Sequence, residues 1–393
     1  MRDPVGGGPC RSCATPLGDP VLDLGAQPIA EFEPTGQAAE PVERRPLRLH
    51  CCPACGLVQL GRDGPEPARD GHGHGGAFST TVTEHVNARV AELGRLARLG
   101  PGDLVVDVAT GDGAALAGFA RAGAEVIGLD REPAGLPGAV AQLGRTARLV
   151  LVDHALAHLD DFDGMIAALA TIVTADGLIA IEAHHVLGLL EDGAFDIVSH
   201  PHRTYLALGA LEPALARHGL AAVSAARSPL HGGSFSVIVR PIAVGIAADP
   251  SVAALRAIEA GAGLSDPAAY RPLAARAEAV RSELRSAVRA ALAEGALIAA
   301  YGASSRGLTL LGFAGLTRGE IAFVADRDPA KAGRVLAGTG IPVRPAEAIE
   351  EDRPDLVLIL PWPIAPEIAR QLRAAPGWSG RLVVALPAFA EIA

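Results

Sequence analysis

Between Leu104 and Asp130 the chain runs through an apolar strand, a glycine turn, an alanine-rich helix, a second strand and an acid, an order that few folds accommodate. Leu104-Val-Val-Asp107-Val-Ala-Thr110-Gly111-Asp-Gly113 reads as a buried strand ending in a turn, where Gly111 and Gly113 let the backbone come close to a ligand. The second strand, Glu125-Val-Ile-Gly-Leu129, ends at Asp130. That acid lies about 20 residues past the turn, where a carboxylate accepts hydrogen bonds from both ribose hydroxyls. The spacing is Asp-x-x-x-Gly-x-Gly rather than Gly-x-Gly-x-x-Gly, which favours S-adenosylmethionine over a dinucleotide, because a sulfonium cofactor has no pyrophosphate to seat on a helix N-terminus.

The alternation continues through an apolar strand to Val152, a helix, and Gly177-Leu-Ile-Ala-Ile-Glu182, as in a doubly wound parallel α/β sheet. Ligands of such sheets bind beyond the carboxyl ends of the strands. The cofactor-binding candidates are therefore Asp107, Thr110, Gly111, Gly113, Asp130, Asp153 and His154, with Glu182, His184 and His185 past the next strand end. Apolar spacing predicts a helix from about Thr80 to Leu99 and a long helical region from Pro250 to Glu294. A second strand-and-glycine-loop unit follows, Ala296 to Gly307, then Ile321-Ala-Phe-Val-Ala and Leu356-Val-Leu-Ile-Leu360, and predicts a second Rossmann-like domain without the usual acid-tipped ribose site.

All five cysteines lie in the first 55 residues, four of them as two Cys-x-x-Cys pairs, Cys10/Cys13 and Cys52/Cys55. A unit of about 70 residues is marginal without a staple, and four thiolates hold a zinc ion tetrahedrally, so these four are the metal-ligand candidates for a structural zinc. Cys51 reads as a core thiol. The expected domains are 1–70 (zinc-binding), 71–245 (cofactor-binding) and 246–393 (Rossmann-like).

The net charge of −10, with 34 basic against 44 acidic residues and no long basic run, argues against a nucleic-acid or membrane-surface binder. The first residues lack the apolar core of a signal peptide, and no stretch reaches the roughly 18 apolar residues of a membrane span. A cytoplasmic enzyme, monomeric or a weak homodimer, is the expectation.

The chain resembles the three-domain sugar C-methyltransferases, which methylate nucleotide-linked 4-keto deoxysugars. The resemblance runs from Cys10 to about residue 390. It is carried by Leu24-Gly-Ala-Gln-Pro28, Cys52-Pro-Ala-Cys55-Gly-Leu-Val-Gln59, the turn from Asp107 to Gly113, Ala157-His158-Leu159-Asp160, Phe195-Asp-Ile-Val-Ser-His200-Pro-His202-Arg-Thr-Tyr205, His231-Gly-Gly-Ser234, Tyr301-Gly-Ala-Ser-Ser-Arg306-Gly307, Asp326-Arg-Asp-Pro329-Ala-Lys331 and Leu360-Pro-Trp362. It implies a zinc-binding domain, a methyltransferase domain and a C-terminal domain closing over the sugar nucleotide, with a thymidine-diphosphate keto-deoxysugar as substrate in antibiotic-type deoxysugar biosynthesis. It also implies a base that takes a proton from carbon beside a ketone before methyl transfer. His202 aligns with that base, His200 lies beside it, and His184 or His185 holds the carbonyl or serves as the acid. Ser199 and Pro201 stand where the family has Tyr and Glu, and the loop Gly71-His72-Gly-His74 lacks the family's tyrosine.

These departures motivate an alternative, a divergent enzyme on the same fold with a non-methylating or non-C3 reaction. A non-catalytic binding module is a third reading, disfavoured by the acidic charge and the intact cofactor turn. His72, His74, His184, His185, His200 and His202 could also form a metal site, since His200 and His202 would share one face of an extended segment. Arg306 could reach a phosphate or lie on the surface.

Overall fold

The computed structural model describes residues 7–33, 42–62, 79–108, 111, 113–129, 135–242, 245, 247–374 and 377–392. Thr110, Asp130, His72 and His74 lie outside the described residues.

Three sheets organise the α/β architecture. The first is antiparallel and places Leu22–Pro28, Arg44–Cys51, Val58–Leu60 and Thr204–Tyr205 side by side. Its fourth strand comes from far along the chain: Tyr205 pairs with Val58 and Thr204 with Gln59. The segment carrying His200 and His202 is thereby fastened to the cysteine-bearing unit.

The central sheet has the order Glu125–Leu129, Leu104–Val108, Ala147–Asp153, Val173–His184, Ser234–Pro241, Leu220–Ser228. The first four strands are parallel, and the three after the half-exposed edge strand Glu125–Leu129 bury apolar runs on both faces. The last two form an antiparallel pair, and Ser234–Pro241 also runs antiparallel to Val173–His184, so the sheet is not parallel throughout. From Leu104–Val108 the chain crosses to one neighbour and returns to the other, which opens the ligand crevice past the ends of Leu104–Val108 and Ala147–Asp153.

Helix Thr80–Ala97 begins at Ser79, whose hydroxyl accepts from the Val82 amide. The long helical region is two helices, Pro250–Gly261 and Arg271–Ala293, separated by a turn at Pro267–Tyr270. Val252 and Leu255 pack on the central sheet, whereas Leu273, Ala277, Val280, Leu284, Val288 and Ala291 form a stripe at helical spacing against the other two units.

The third sheet has seven strands. Five are parallel (Ile341–Pro345, Val324–Asp326, Ile298–Tyr301, Leu356–Ile359, Arg381–Val384), and Val335–Leu336 and Ala390–Ile392 are antiparallel edges. One hydrophobic core runs from Leu22, Leu47 and Leu49 through the stripe to Ile298, Leu308 and Leu311. Cys10, Cys52 and Leu57 belong instead to the core of the central sheet. The N-terminal unit is therefore a wedge packed against both larger units. Among the described residues no helix is long and apolar enough to cross a membrane.

Candidate active site and metal centre

The two Cys-x-x-Cys turns face each other. Cys10 Sγ lies 3.6 Å from Cys55 Sγ and Cys13 Sγ 3.6 Å from Cys52 Sγ, and all four sulfurs lie within 4.8 Å of one another. Four thiolates around zinc at about 2.3 Å sit roughly 3.8 Å apart, so the donor set fits that ion. Gln59 steadies the first turn by accepting from the Arg11 amide at 2.9 Å and donating to Cys10 Sγ at 3.1 Å. Arg11 in turn bonds Asp160 at 2.9 Å, tying the metal turn to the central unit. The hydrogen bond from Cys55 is the largest of the effects that pull the Cys10 thiol down to about 4, whereas burial pushes Cys51 up to about 12, in keeping with a core thiol.

At the sheet's crevice, Asp107 is buried near the end of its strand. Gly111 and Gly113 both take positive φ, 60° and 73°, and among the described residues no atom beyond its chain neighbours lies within 4 Å of where a Gly111 side chain would begin. Left-handed glycines at a strand end let a backbone approach a ligand closely, as the adenosyl half of S-adenosylmethionine requires. Asp153 pairs with Arg89, whose terminal nitrogen lies 2.7 Å from Oδ1, and Arg89 Nε also lies 3.3 Å from Glu182 Oε2. His85, one turn earlier on the same helix, lies 3.0 Å from both oxygens of Glu182. Burial works against charge on Glu182, but His85 and Arg89 outweigh it and hold the carboxyl below its usual range. The same hydrogen bond raises His85.

Beyond these strand ends, five imidazoles meet. Ring centroids are 4.6 Å apart for His154 and His184, and 5.1 Å apart for His154 and His231, for His184 and His202, and for His202 and His158. His154 and His231 hold positive φ, 57° and 56°, a strained backbone typical of functional positions. His202 Nδ1 lies 2.9 Å from the Ile197 carbonyl oxygen. Only a donor can face a carbonyl, so Nδ1 carries the proton and Nε2 is the basic nitrogen of the ring. Burial, then the neighbouring imidazoles and Arg306, lowers the His184 pKa well below the ordinary range, so that ring is neutral.

The structure brings His202, His184 and His154 together and sends His185 and His200 elsewhere. His185 Nε2 meets Glu259 Oε1 at 2.8 Å on the opposite side of the strand end. His200 Nε2 meets the Gln27 carbonyl at 3.2 Å and lines a small cavity with Pro28, Leu47 and Ser305. The expected shared face for His200 and His202 fails because residues 199–202 turn, with the His202 amide bonded to the Ser199 carbonyl at 3.0 Å. Among the described residues only the four cysteines converge as a metal-ligand group.

Arg306 is neither on the surface nor free for phosphate. It forms a forked pair with buried Asp196, at 2.9 Å and 2.8 Å, and donates to the His231 carbonyl at 2.5 Å, while Trp362 Nε1 donates to Asp196 at 3.0 Å. In the C-terminal unit an acid does tip the second strand. Asp326 is occupied internally, accepting from the Ala303 and Asp328 amides at 2.8 Å each and lying 3.3 Å from Lys331 Nζ. Arg89 escaped the sequence reading, although its position four residues after His85 puts both on one helix face.

A family model for a C-methyltransferase C-terminal domain matches residues 229–387, and one for a zinc binding domain matches residues 10–65. The curated C-methyltransferase NovU of Streptomyces niveus is 30% identical over 404 residues, covering 96% of this chain and 95% of its own. Among solved structures, magnesium protoporphyrin IX methyltransferase (ChlM) from Synechocystis PCC 6803 with bound SAH is 21% identical over 43% of this chain and 90% of its own, TM-score 0.33. Burkholderia thailandensis 1,6-didemethyltoxoflavin-N1-methyltransferase, with 1,6-didemethyltoxoflavin and S-adenosylhomocysteine bound, is 19% identical over 47% of this chain and 95% of its own, TM-score 0.34.

Proposed function

The chain belongs to the C-methyltransferase family and is a methyltransferase that uses S-adenosylmethionine and holds a structural zinc ion, and from that premise we propose that its acceptor is a nucleotide-activated keto-deoxysugar methylated on the carbon beside the ketone. The observation that carries this reading is the buried imidazole group at the mouth of the cofactor crevice. A carbon-bound hydrogen beside a ketone is weakly acidic and needs a positioned base, together with a donor for the developing enolate oxygen.

His202 is the base. It is 8% exposed, and the Ile197 carbonyl fixes its tautomer so that Nε2 is the basic nitrogen. His184, kept neutral, polarises the ketone oxygen by donating from the ring nitrogen that carries its proton. Arg306, held by Asp196, donates to the His231 carbonyl and so fixes the backbone that carries His231 at the edge of the pocket. S-adenosylmethionine, when bound by Asp107, Gly111 and Gly113, supplies an electrophilic methyl group. The C-terminal unit, joined to the site through Arg306 and Trp362, covers the acceptor and excludes water. The acceptor's nucleotide is a thymidine diphosphate in this reading, and the cysteine-stapled wedge serves structure alone.

A panel of thymidine-diphosphate sugars, with and without a 4-keto group, tests the proposal by mass spectrometry. The reading requires methylated product from keto sugars and none from their reduced counterparts, with the keto-sugar rate lowered about 10²–10⁴-fold in His202→Gln. Consumption of the keto sugar without methyl gain would establish the divergent reaction that Ser199 and Pro201 raise, and no turnover of any sugar would reject the substrate class.

A further inference from the structure

Each turnover of the proposed reaction leaves one proton behind. A C–H bond on the acceptor breaks, a C–C bond forms, the positive sulfonium becomes a neutral thioether, and the hydrogen remains on the base as a proton. His202 must lose it before the next cycle, yet His202 is buried at 8% exposure. One of its ring neighbours is a dead end: His158 is itself buried, and its Nδ1 faces the Pro201 carbonyl at 3.0 Å.

The other direction leads outward. His184 lies 5.1 Å from His202 between ring centroids, and His154 lies 4.6 Å beyond it. His154 Nε2 is 3.9 Å from Glu182 Oε1, and Glu182 shares both its oxygens with His85 Nε2 at 3.0 Å. The His85 side chain is 30% exposed, the most open group of the series. The rings pack side by side at 4.6–5.1 Å between centroids, and His154 Nε2 stands 3.9 Å from Glu182, so the relay needs ring rotation or an intervening water at these steps and a direct bond only between Glu182 and His85.

We infer that His184, His154, Glu182 and His85 form a relay that carries the proton from His202 to solvent. The inference rests on the proposed base chemistry. The direction of transfer has an electrostatic cause: burial and like neighbours make His184 a poor resting place, while Glu182 makes His85 a good one. Arg89 and Asp153 complete the charged groups around His85 and Glu182: Arg89 pairs with Asp153 at 2.7 Å and also lies 3.3 Å from Glu182 Oε2, so Glu182 faces both His85 and Arg89. The remaining imidazole, His231, is held through its carbonyl by Arg306 and lies beside the line of transfer.

The test measures deuterium uptake from D2O at the carbon beside the ketone of dTDP-4-keto-6-deoxyglucose, without methyl donor. A base that cannot exchange its proton with solvent returns it to the same carbon, so uptake reports the relay separately from methyl transfer. His85→Ala and the milder His85→Gln should each slow uptake about tenfold or more in weak buffer and recover most of it in concentrated imidazole, which the wild type should ignore. His85→Gln, which keeps a donor toward Glu182, should hold its melting temperature and S-adenosylhomocysteine affinity near wild type, whereas His85→Ala, which strips buried Glu182 of that donor, should melt lower. Uptake unchanged in both variants, or a loss that imidazole does not restore, would overturn the relay while leaving the base intact. Absence of uptake and of methyl transfer in the wild type would reject the base chemistry itself, and the relay with it.

Discussion

Replacing Arg306 by methionine should destabilise the protein by about 3–4 kcal/mol, because the guanidinium is the principal partner of a carboxylate with no access to water. Asp196 has a side-chain exposure of 0%, and among the described residues Arg306 supplies two of its three donors, the third being Trp362 Nε1 at 3.0 Å. Removing one partner of a buried ion pair typically costs about 3–5 kcal/mol, since an uncompensated charge stays behind. Two features set the ceiling here. Trp362 retains its bond, and an ordinary carboxylic acid can take up a proton at pH 7 for about 4 kcal/mol instead of remaining charged. The double variant Arg306→Met, Asp196→Leu removes the stranded charge together with its partner and should return to within about 1 kcal/mol of wild type. Guanidinium unfolding followed by tryptophan fluorescence reads this directly, because both tryptophans, Trp362 and Trp378, lie in the C-terminal unit that the pair anchors. A wild-type midpoint in Arg306→Met, or a double variant no more stable than the single one, would refute the reasoning.

Cys10→Ser or Cys52→Ser should lower bound zinc, measured by mass spectrometry of the purified protein, and loosen the wedge enough to expose it to limited proteolysis; retention of stoichiometric metal would contradict the four-sulfur assignment. His202→Gln should lower kcat by about 10²–10⁴-fold with S-adenosylmethionine affinity unchanged by calorimetry, because only the base is lost. Glu367 accepts from Ser79, Thr80 and Thr81 at the start of helix Thr80–Ala97, and despite partial burial these bonds hold its pKa below the ordinary value. Its stabilising contribution is therefore complete above the usual glutamate pKa of about 4.3 and lost as pH falls through the lower folded value. Glu367→Gln should lower the melting temperature at pH 7 and narrow the gap to wild type in strong acid.

The parallel half of the central sheet was legible because buried strands and the glycine turn announce themselves in short-range apolar runs. The antiparallel pair Leu220–Ser228 and Ser234–Pro241 was not, because the same periodicity fits either strand direction. Thr204–Tyr205 carries only two residues of pattern, and its pairing with Val58 and Gln59 is a long-range event. The cysteine constellation was readable from spacing because tetrahedral coordination leaves few alternatives. Among the histidines, strand alternation could have separated His184 from His185, which leave their strand end on opposite sides. The divergence of His200 and His202 required the turn at Pro201. Asp196 gave no local sign of its burial, since Arg306 lies 110 positions further along the chain.

Carbon NMR of the product formed from a 13C-methyl donor and uniformly 13C-labelled dTDP-4-keto-6-deoxyglucose tests the central claim most directly. The account predicts one-bond carbon–carbon coupling between the new methyl group and the ring carbon next to the ketone. A methyl signal lacking that coupling and shifted to the range of an ether or amine would place the transfer on a heteroatom and contradict it.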